Sequence, residues 1–296
     1  MPDPFSEVLS QLGSRSVRGT GLEASGEWAL SFDGRGRLKF VALTRGRCWL
    51  ILPNCAPHTM QEGDVFLLSN TRYTVASDPG VDPIDGMALY SLPGRDIVRL
   101  GDGCETIMVG GGSAFADGCA SFVLDALPSF MRIDRASPSA EGIARTLQSL
   151  QAEVRHGGVG STVIAERLAE ILLVEAVRAH VAGGPADSVG WITALADPRI
   201  GKAITMMHGD VSRRWTVPLL AQEAGMSRSA FTQRFLERVG RPPMDYLMQW
   251  RMTVAQRKLS TGQAVAQIAA DVGYSSQSAF AHAFKRVMGQ TPRFGR

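Results

Sequence analysis

The chain has 296 residues, 45% apolar and 20% charged, which excludes a disordered or collagen-like chain and leaves room for two folded domains. No apolar run approaches the roughly 20 residues of a membrane helix. The opening MPDPFSEVLSQLGSR lacks the basic start and apolar core of a signal peptide, so a cytoplasmic protein without membrane contact is expected. The net charge of +3 hides a division: residues 1–197 hold 16 Lys/Arg against 23 Asp/Glu, and residues 198–296 hold 15 against 5. A C-terminal third at net +10 beside a remainder at −7 points to a polyanionic partner.

Residues 22–125 predict short strands separated by Gly, Pro and Asp turns, the pattern of an all-β sandwich or barrel. LKFVALTRGRCWLIL (38–52) predicts a hairpin-like pair bent at Arg45-Gly46-Arg47; EGDVFLLSN (62–70), YTVASD (73–78) and CETIMVGGGSAF (104–115) predict further strands. The four cysteines, Cys48, Cys55, Cys104 and Cys119, have no C-x-x-C spacing and are expected reduced in a cytosolic protein. Cys48 and Cys55 flank a strand end and turn, and Cys48 has Arg45 and Arg47 beside it, the surroundings that lower a thiol pKa. They are candidate redox residues; the competing reading is four small packed hydrophobes.

Composition changes near 126–140. In 139–156, Ile143, Leu147, Leu150 and Val154 recur at helical spacing. In 161–182, Val163, Ile164, Leu168, Ile171, Leu172, Val174 and Val177 form a broad apolar face behind Ser161, a candidate N-cap. A face that wide serves two surfaces, the sheet and a second copy of the chain. GGPADSVG (183–190) predicts an exposed linker.

Beyond the linker one helical pattern occurs twice. Val217, Leu220, Ala221 and Gly225 return as Val265, Ile268, Ala269 and Gly273; Ser229, Ala230, Phe231, Phe235 and Gly240 return as Ser278, Ala279, Phe280, Phe284 and Gly289. Each copy predicts a helix, a glycine turn and a second helix capped by Ser227 or Ser276. Phe231/Phe235 and Phe280/Phe284 anchor that second helix inward. Its outward face is then Arg228, Ser229, Thr232 and Gln233 in the first copy and Gln277, Ser278, Ala281 and His282 in the second. Polar side chains of this kind read base edges in a major groove, and Ala meets a thymine methyl. PPMDYLMQWRMTVAQRKLSTG between the copies predicts one long helix, a spacer suited to the ~34 Å repeat of successive grooves.

The runs A-x-x-x-G-M-S-R-S-x-F-x-x-x-F (221–235), G-x-P-P-x-x-Y-L-x-x-W-R-M (240–252), A-x-x-x-L (255–259) and I-A-x-x-V-G-Y-x-S-x-S-x-F-x-x-x-F-K (268–285), with G-Q-T-P at 289–292, resemble the AraC/XylS family of transcription regulators. The resemblance covers about a hundred residues and implies a seven-helix DNA-binding domain with a helix near 198–208 packed first. The ending TPRFGR departs from the family pattern. EWALSF, KFVALTRGRCWL, EGDVFLLSN and YTVASD are similar to the cupin-like sensor of a subgroup of these regulators. Metal-binding cupins place His where this chain has Val41 and Tyr73; only His58 lies in the strand region, while His156, His180, His208 and His282 lie outside it. One imidazole builds no His-rich metal site, so no metal, cofactor or catalytic residue is expected.

The expected fold is α+β and multidomain: a cupin-like β-barrel (1–137), a helical hairpin for dimerisation (138–182), a linker (183–193) and an all-α DNA-binding domain with two helix-turn-helix motifs (194–296). The expected function is sequence-specific regulation of transcription on double-stranded DNA as a homodimer, responsive to a small molecule or oxidant, with RNA polymerase a candidate partner. A thiol redox regulator and a cupin enzyme are the alternatives.

Overall fold

A computed structural model describes residues 3–11, 15–91, 96–114, 120–133, 139–183 and 189–292. Residues 184–188 of the expected linker, Cys119 and the final residues 293–296 lie outside them. The chain divides into two compact units: Arg15–Ala114 with Pro128–Gly183, and Met1–Ser14 with Phe115–Leu127 and Gly184–Arg296. These are not contiguous stretches of chain. Helix α1 (Pro4–Gln11) and the segment around residue 122 belong with the C-terminal helices.

The first unit is built on β1 (Arg15–Ala24), β2 (Ala29–Arg45), β3 (Arg47–Ile51), β4 (His58–Gln61), β5 (Val65–Ala76), β6 (Ile84–Asp85), helix α2 (Gly86–Tyr90), β7 (Ile97–Leu100) and β8 (Thr106–Ala114). After α3 (Ala120–Leu124), which belongs to the second unit, comes β9 (Phe130–Arg132). The sheet runs β4-β3-β5-β2-β8-β1-β7, with β6 on β2 and β9 on β5. The pair expected at 38–52 is not a hairpin, because β5 lies between β2 and β3. The chain turns at Gly46, whose φ is +86° and where a Cβ would meet the Glu105 carbonyl oxygen at 2.2 Å; no side chain fits. The separate strands expected at 62–70 and 73–78 are one strand, β5, which passes through Asn70 at φ 50°.

A bulge in β2 between Gly34 and Leu38 resets which side chains face which way. Leu30, Val41 and Leu43 join Leu22, Phe66, Leu68, Tyr73, Val75 and Met108 in one buried core. Helices α4 (Ala140–His156) and α5 (Ser161–Gly183) pack on the strands, chiefly β1 and β8. Ile143, Leu147 and Leu150 of α4 are buried as their spacing requires. On α5 the buried face is Ala165, Ala169, Leu172, Leu173, Ala176 and Val177, whereas Val163, Ile164 and Ile171 are exposed. Small residues carry the contact because the backbones come close: a Cβ at Gly111 would sit 3.2 Å from that of Ala169. Glu23, buried on β1, fastens the hairpin by accepting from Arg155 of α4 (3.0 Å) and Arg99 of β7 (2.9 Å).

The second unit adds α6 (Trp191–Ala194), α7 (Pro198–Gly209), α8 (Val217–Glu223), α9 (Arg228–Val239), α10 (Pro243–Ser260), α11 (Val265–Asp271) and α12 (Gln277–Met288). Its core is aromatic. His208 of α7 stacks on Trp250 of α10 at 4.2 Å and 6°, with Phe122 of α3 against Trp191, Tyr246 and Trp250. The His208 Nε2 and Tyr246 hydroxyl are hydrogen-bonded at 2.6 Å, and burial drives the imidazole pKa down to about 3.

Candidate nucleic-acid interface

Each repeated stretch is a helix, a left-handed glycine and a longer helix: α8, Gly225 at φ +65° and α9; then α11, Gly273 at φ +80° and α12. Ser227 accepts from the Ala230 amide and Ser276 from the Ala279 amide, so both second helices start on a serine cap. Both end on a left-handed glycine, Gly240 and Gly289. Phe231, Phe235, Phe280 and Phe284 are all buried. The helical period therefore turns the opposite faces outward.

Arg228, Ser229 and Gln233 are exposed, with Thr232 half-buried and its hydroxyl donating to the Arg228 carbonyl oxygen at 2.9 Å. Gln277, Ser278 and His282 are exposed, with Ala281 half-buried. The eight residues predicted from sequence thus lie as two groups of four, each on one capped helix. Gln233 donates to Glu237 at 2.9 Å, a bond that a base edge would have to replace. Among the described residues Arg214, Arg228 and Lys285 are exposed and carry no carboxylate partner, so they are available to phosphates.

Not every basic residue on these helices is free. Arg234 and Arg238 of α9 close on Asp197 at 2.7 and 3.7 Å. Asp197 also caps α7, accepting from the Arg199 and Ile200 amides. Burial opposes its ionisation, but the Arg234 hydrogen bond and the two amides outweigh that and hold the carboxyl below its ordinary value. α10, 18 residues long and so about 27 Å, packs against α9, α11 and α12. Arg251 on it donates to the Val211 and Arg213 carbonyl oxygens and lies over the Tyr274 ring.

The first unit holds a cavity of about 270 Å³ whose wall includes Arg37, Lys39 and Val41 of β2, Tyr73 of β5, Tyr90 of α2 and Met108 of β8. Val41 and Tyr73, the two positions at which the sequence resemblance sets the cupin histidines, both line it. His58 instead stacks on Phe130 at 4.5 Å. No group of three or more His, Cys, Asp or Glu that could hold a metal occurs among the described residues. Arg37 and Lys39 went unnoticed in the sequence. Their signal is the alternation Arg37-Leu38-Lys39-Phe40-Val41, which puts two cations on the side of Val41.

The redox reading of Cys48 and Cys55 is not supported. Cys48 is buried against Met108, and burial, with the Asp64 charge, pushes its thiol up to about 12. Its neighbour Arg47 lies over the Trp49 ring instead. Cys55 is exposed and Cys104 half-buried, so the four cysteines are not uniformly packed either. No helix among the described residues is long and apolar enough to cross a membrane.

A cupin family model matches residues 3–182 and a helix-turn-helix domain model matches 220–296. An AraC-like transcription regulator of Streptomyces lividans is 40% identical over 293 residues, covering 98% of this chain and 96% of that protein. The transcriptional regulator AlkR of Acinetobacter baylyi is 30% identical over 300 residues, 98% of each chain. Among solved structures, ToxT of Vibrio cholerae with a bound unsaturated fatty acid covers 94% of this chain and 93% of its own, at 16% identity and a TM-score of 0.38.

Proposed function

Because the chain belongs to the AraC-like transcription regulators, with a cupin domain followed by a helix-turn-helix domain, we propose that α9 and α12 are its two recognition helices. They enter successive major grooves on one face of the duplex, with α10 as the spacer. Arg228 suits guanine, Gln233 and Gln277 suit adenine, Ser229, Thr232 and Ser278 bond either edge, and Ala281 meets a thymine methyl. His282 offers a ring nitrogen at the equivalent place on α12. One observation supports this above the rest: two helices with the same serine cap and the same buried Phe pair expose two different polar faces. Identical faces would read one motif twice; different faces specify an asymmetric site.

The cupin domain is a sensor and not a catalyst, and needs no metal or cofactor; its cavity receives the effector. The chain works in the cytoplasm as a homodimer through α5, whose Ile164 and Ile171 are 44% and 49% exposed. An apolar strip of this kind is covered most simply by its own two-fold copy. Pairing raises the effective concentration of the second DNA-binding domain on adjacent sites, and bound dimers are placed to contact RNA polymerase.

The test is enrichment of a preferred duplex from a random pool by the intact protein, followed by titration at several salt concentrations. Affinity should fall steeply with salt. Gln233→Ala and His282→Ala should each cost about 1–3 kcal/mol on the preferred site and little on unrelated DNA. Equal losses on both would remove these residues from base reading, and the absence of salt-dependent duplex binding would end the proposal.

A further inference from the structure

The cavity wall is chemically one-sided. Leu22, Val41, Val75 and Met108 make it apolar, Phe32 and Tyr73 stack on each other at 5.1 Å as paired residues of β2 and β5, and among the described residues no Asp or Glu lines it. Into this wall β2 sends two cations, Arg37 and Lys39, neither with a carboxylate partner among the described residues. Several other arginines of the unit have carboxylate partners, although Arg47, over the Trp49 ring, is not among them. Arg35 is paired with Asp33 at 2.6 Å, Arg132 with Asp64 at 3.1 Å, and Arg99 and Arg155 share Glu23. Among the described residues Lys39 has only the Phe32 ring, 5.8 Å from its Nζ. Two like charges held two residues apart on a half-buried wall oppose folding, and an apolar residue at either position would relieve that.

We infer that the cavity takes a small molecule with an apolar body and one carboxylate head, the head bound between Arg37 and Lys39 and the body against Phe32, Tyr73 and the aliphatic wall. This rests on the reading of the cavity as the effector site and specifies the chemistry of what enters. A neutral hydrocarbon would bring neither cation a carboxylate, which the described residues do not supply. A sugar or nucleotide would set most of its hydroxyls against Leu22, Val41 and Val75, and of the polar side chains in the wall Thr20, Tyr90 and Ser91 already donate to backbone carbonyl oxygens. The fork of Arg37 matches a carboxylate, and Lys39 adds a point charge beside it. The other titratable groups of the wall are Tyr73 from β5 and Tyr90 from α2. Both hydroxyls are kept protonated by burial, and that of Tyr90 donates to the Gly21 carbonyl oxygen. Neither competes as an anion. Burial and the Arg37 charge bring Lys39 down to about 8, so affinity for a carboxylate falls as pH rises above 8.

The intact protein is titrated by calorimetry with octanoate and 3-phenylpropanoate, each against its uncharged primary amide, at pH 7 and pH 9. At least one acid should bind ten times or more tightly than its amide at pH 7, with the preference reduced at pH 9. In Lys39→Met and Arg37→Met, checked for folding by circular dichroism, acid and amide should bind alike. Acid and amide binding equally to the wild type, unchanged in Lys39→Met, would overturn the carboxylate while leaving a neutral-ligand effector cavity standing. Binding of neither acid nor amide would overturn the carboxylate and withdraw the support for the cavity as a sensor.

Discussion

Replacing Lys39 by Met removes a buried charge and should make the ligand-free cupin domain more stable. The drop of the Lys39 pKa from its ordinary 10.5 to about 8 corresponds to about 3.5 kcal/mol against the charged form in the fold, at roughly 1.4 kcal/mol per pH unit. Lys39 keeps some solvent contact, and the variant loses the contact with the Phe32 ring, worth about 0.5–1 kcal/mol. A net gain of about 1–2 kcal/mol at pH 7 remains. Because the folded-state value lies below the unfolded one, the unfolded chain binds more protons between about 8 and 10.5, and wild-type stability rises with pH through that window. The advantage of Lys39→Met should therefore be full below pH 8 and shrink as pH approaches 10.5. Urea unfolding followed by tryptophan fluorescence at pH 7, 8.5 and 9.5 measures both, with Trp28 and Trp49 reporting on this unit. A variant less stable than wild type at pH 7, or an advantage that does not change with pH, would refute the reasoning.

Native protein treated with iodoacetamide at pH 7.5 should label Cys55 and leave Cys48 unmodified until denaturant is added; peptide mass mapping that finds Cys48 alkylated under native conditions would contradict its burial. The second unit should lose stability as pH falls from 6.5 toward 3, because His208 is held neutral in the fold with a pKa near 3 and the unfolded chain takes up the proton. His208→Phe, which keeps the stack on Trp250, should flatten that slope in thermal unfolding series, and an unchanged slope would assign the acid sensitivity elsewhere. Glu at both Ile164 and Ile171 should give folded monomers by sedimentation velocity that still bind one DNA site weakly; a wild type that is already monomeric at tens of micromolar would defeat the dimer.

Local chemistry carried the helix-turn-helix pair from sequence to structure. Serine caps, left-handed glycines and Phe residues four apart act within a dozen residues of each other, so the pattern determined the elements, their buried face and, by subtraction, the outward residues Arg228, Gln233, Gln277 and His282. The cupin domain was legible only as strands. Its pairings join residues as far apart as Ala24 and Thr106 or Arg37 and Ala114, and no local pattern states which strand lies between which. Hence β5 between β2 and β3 was not foreseen, nor that the bulge before Leu38 would turn Arg37 and Lys39 toward the cavity. The apolar spacing of α5 showed more hydrophobic surface than one contact uses, but which part is buried depended on the sheet. Gly111 meets Ala169 there, so the alanines went inward and Ile164 and Ile171 stayed in solvent. Cys48 makes the same point about charge: two arginines, Arg45 and Arg47, closely precede it in sequence, yet its thiol lies in a buried core near Asp64, because the side chain of the adjacent Arg47 points to the opposite face of the strand.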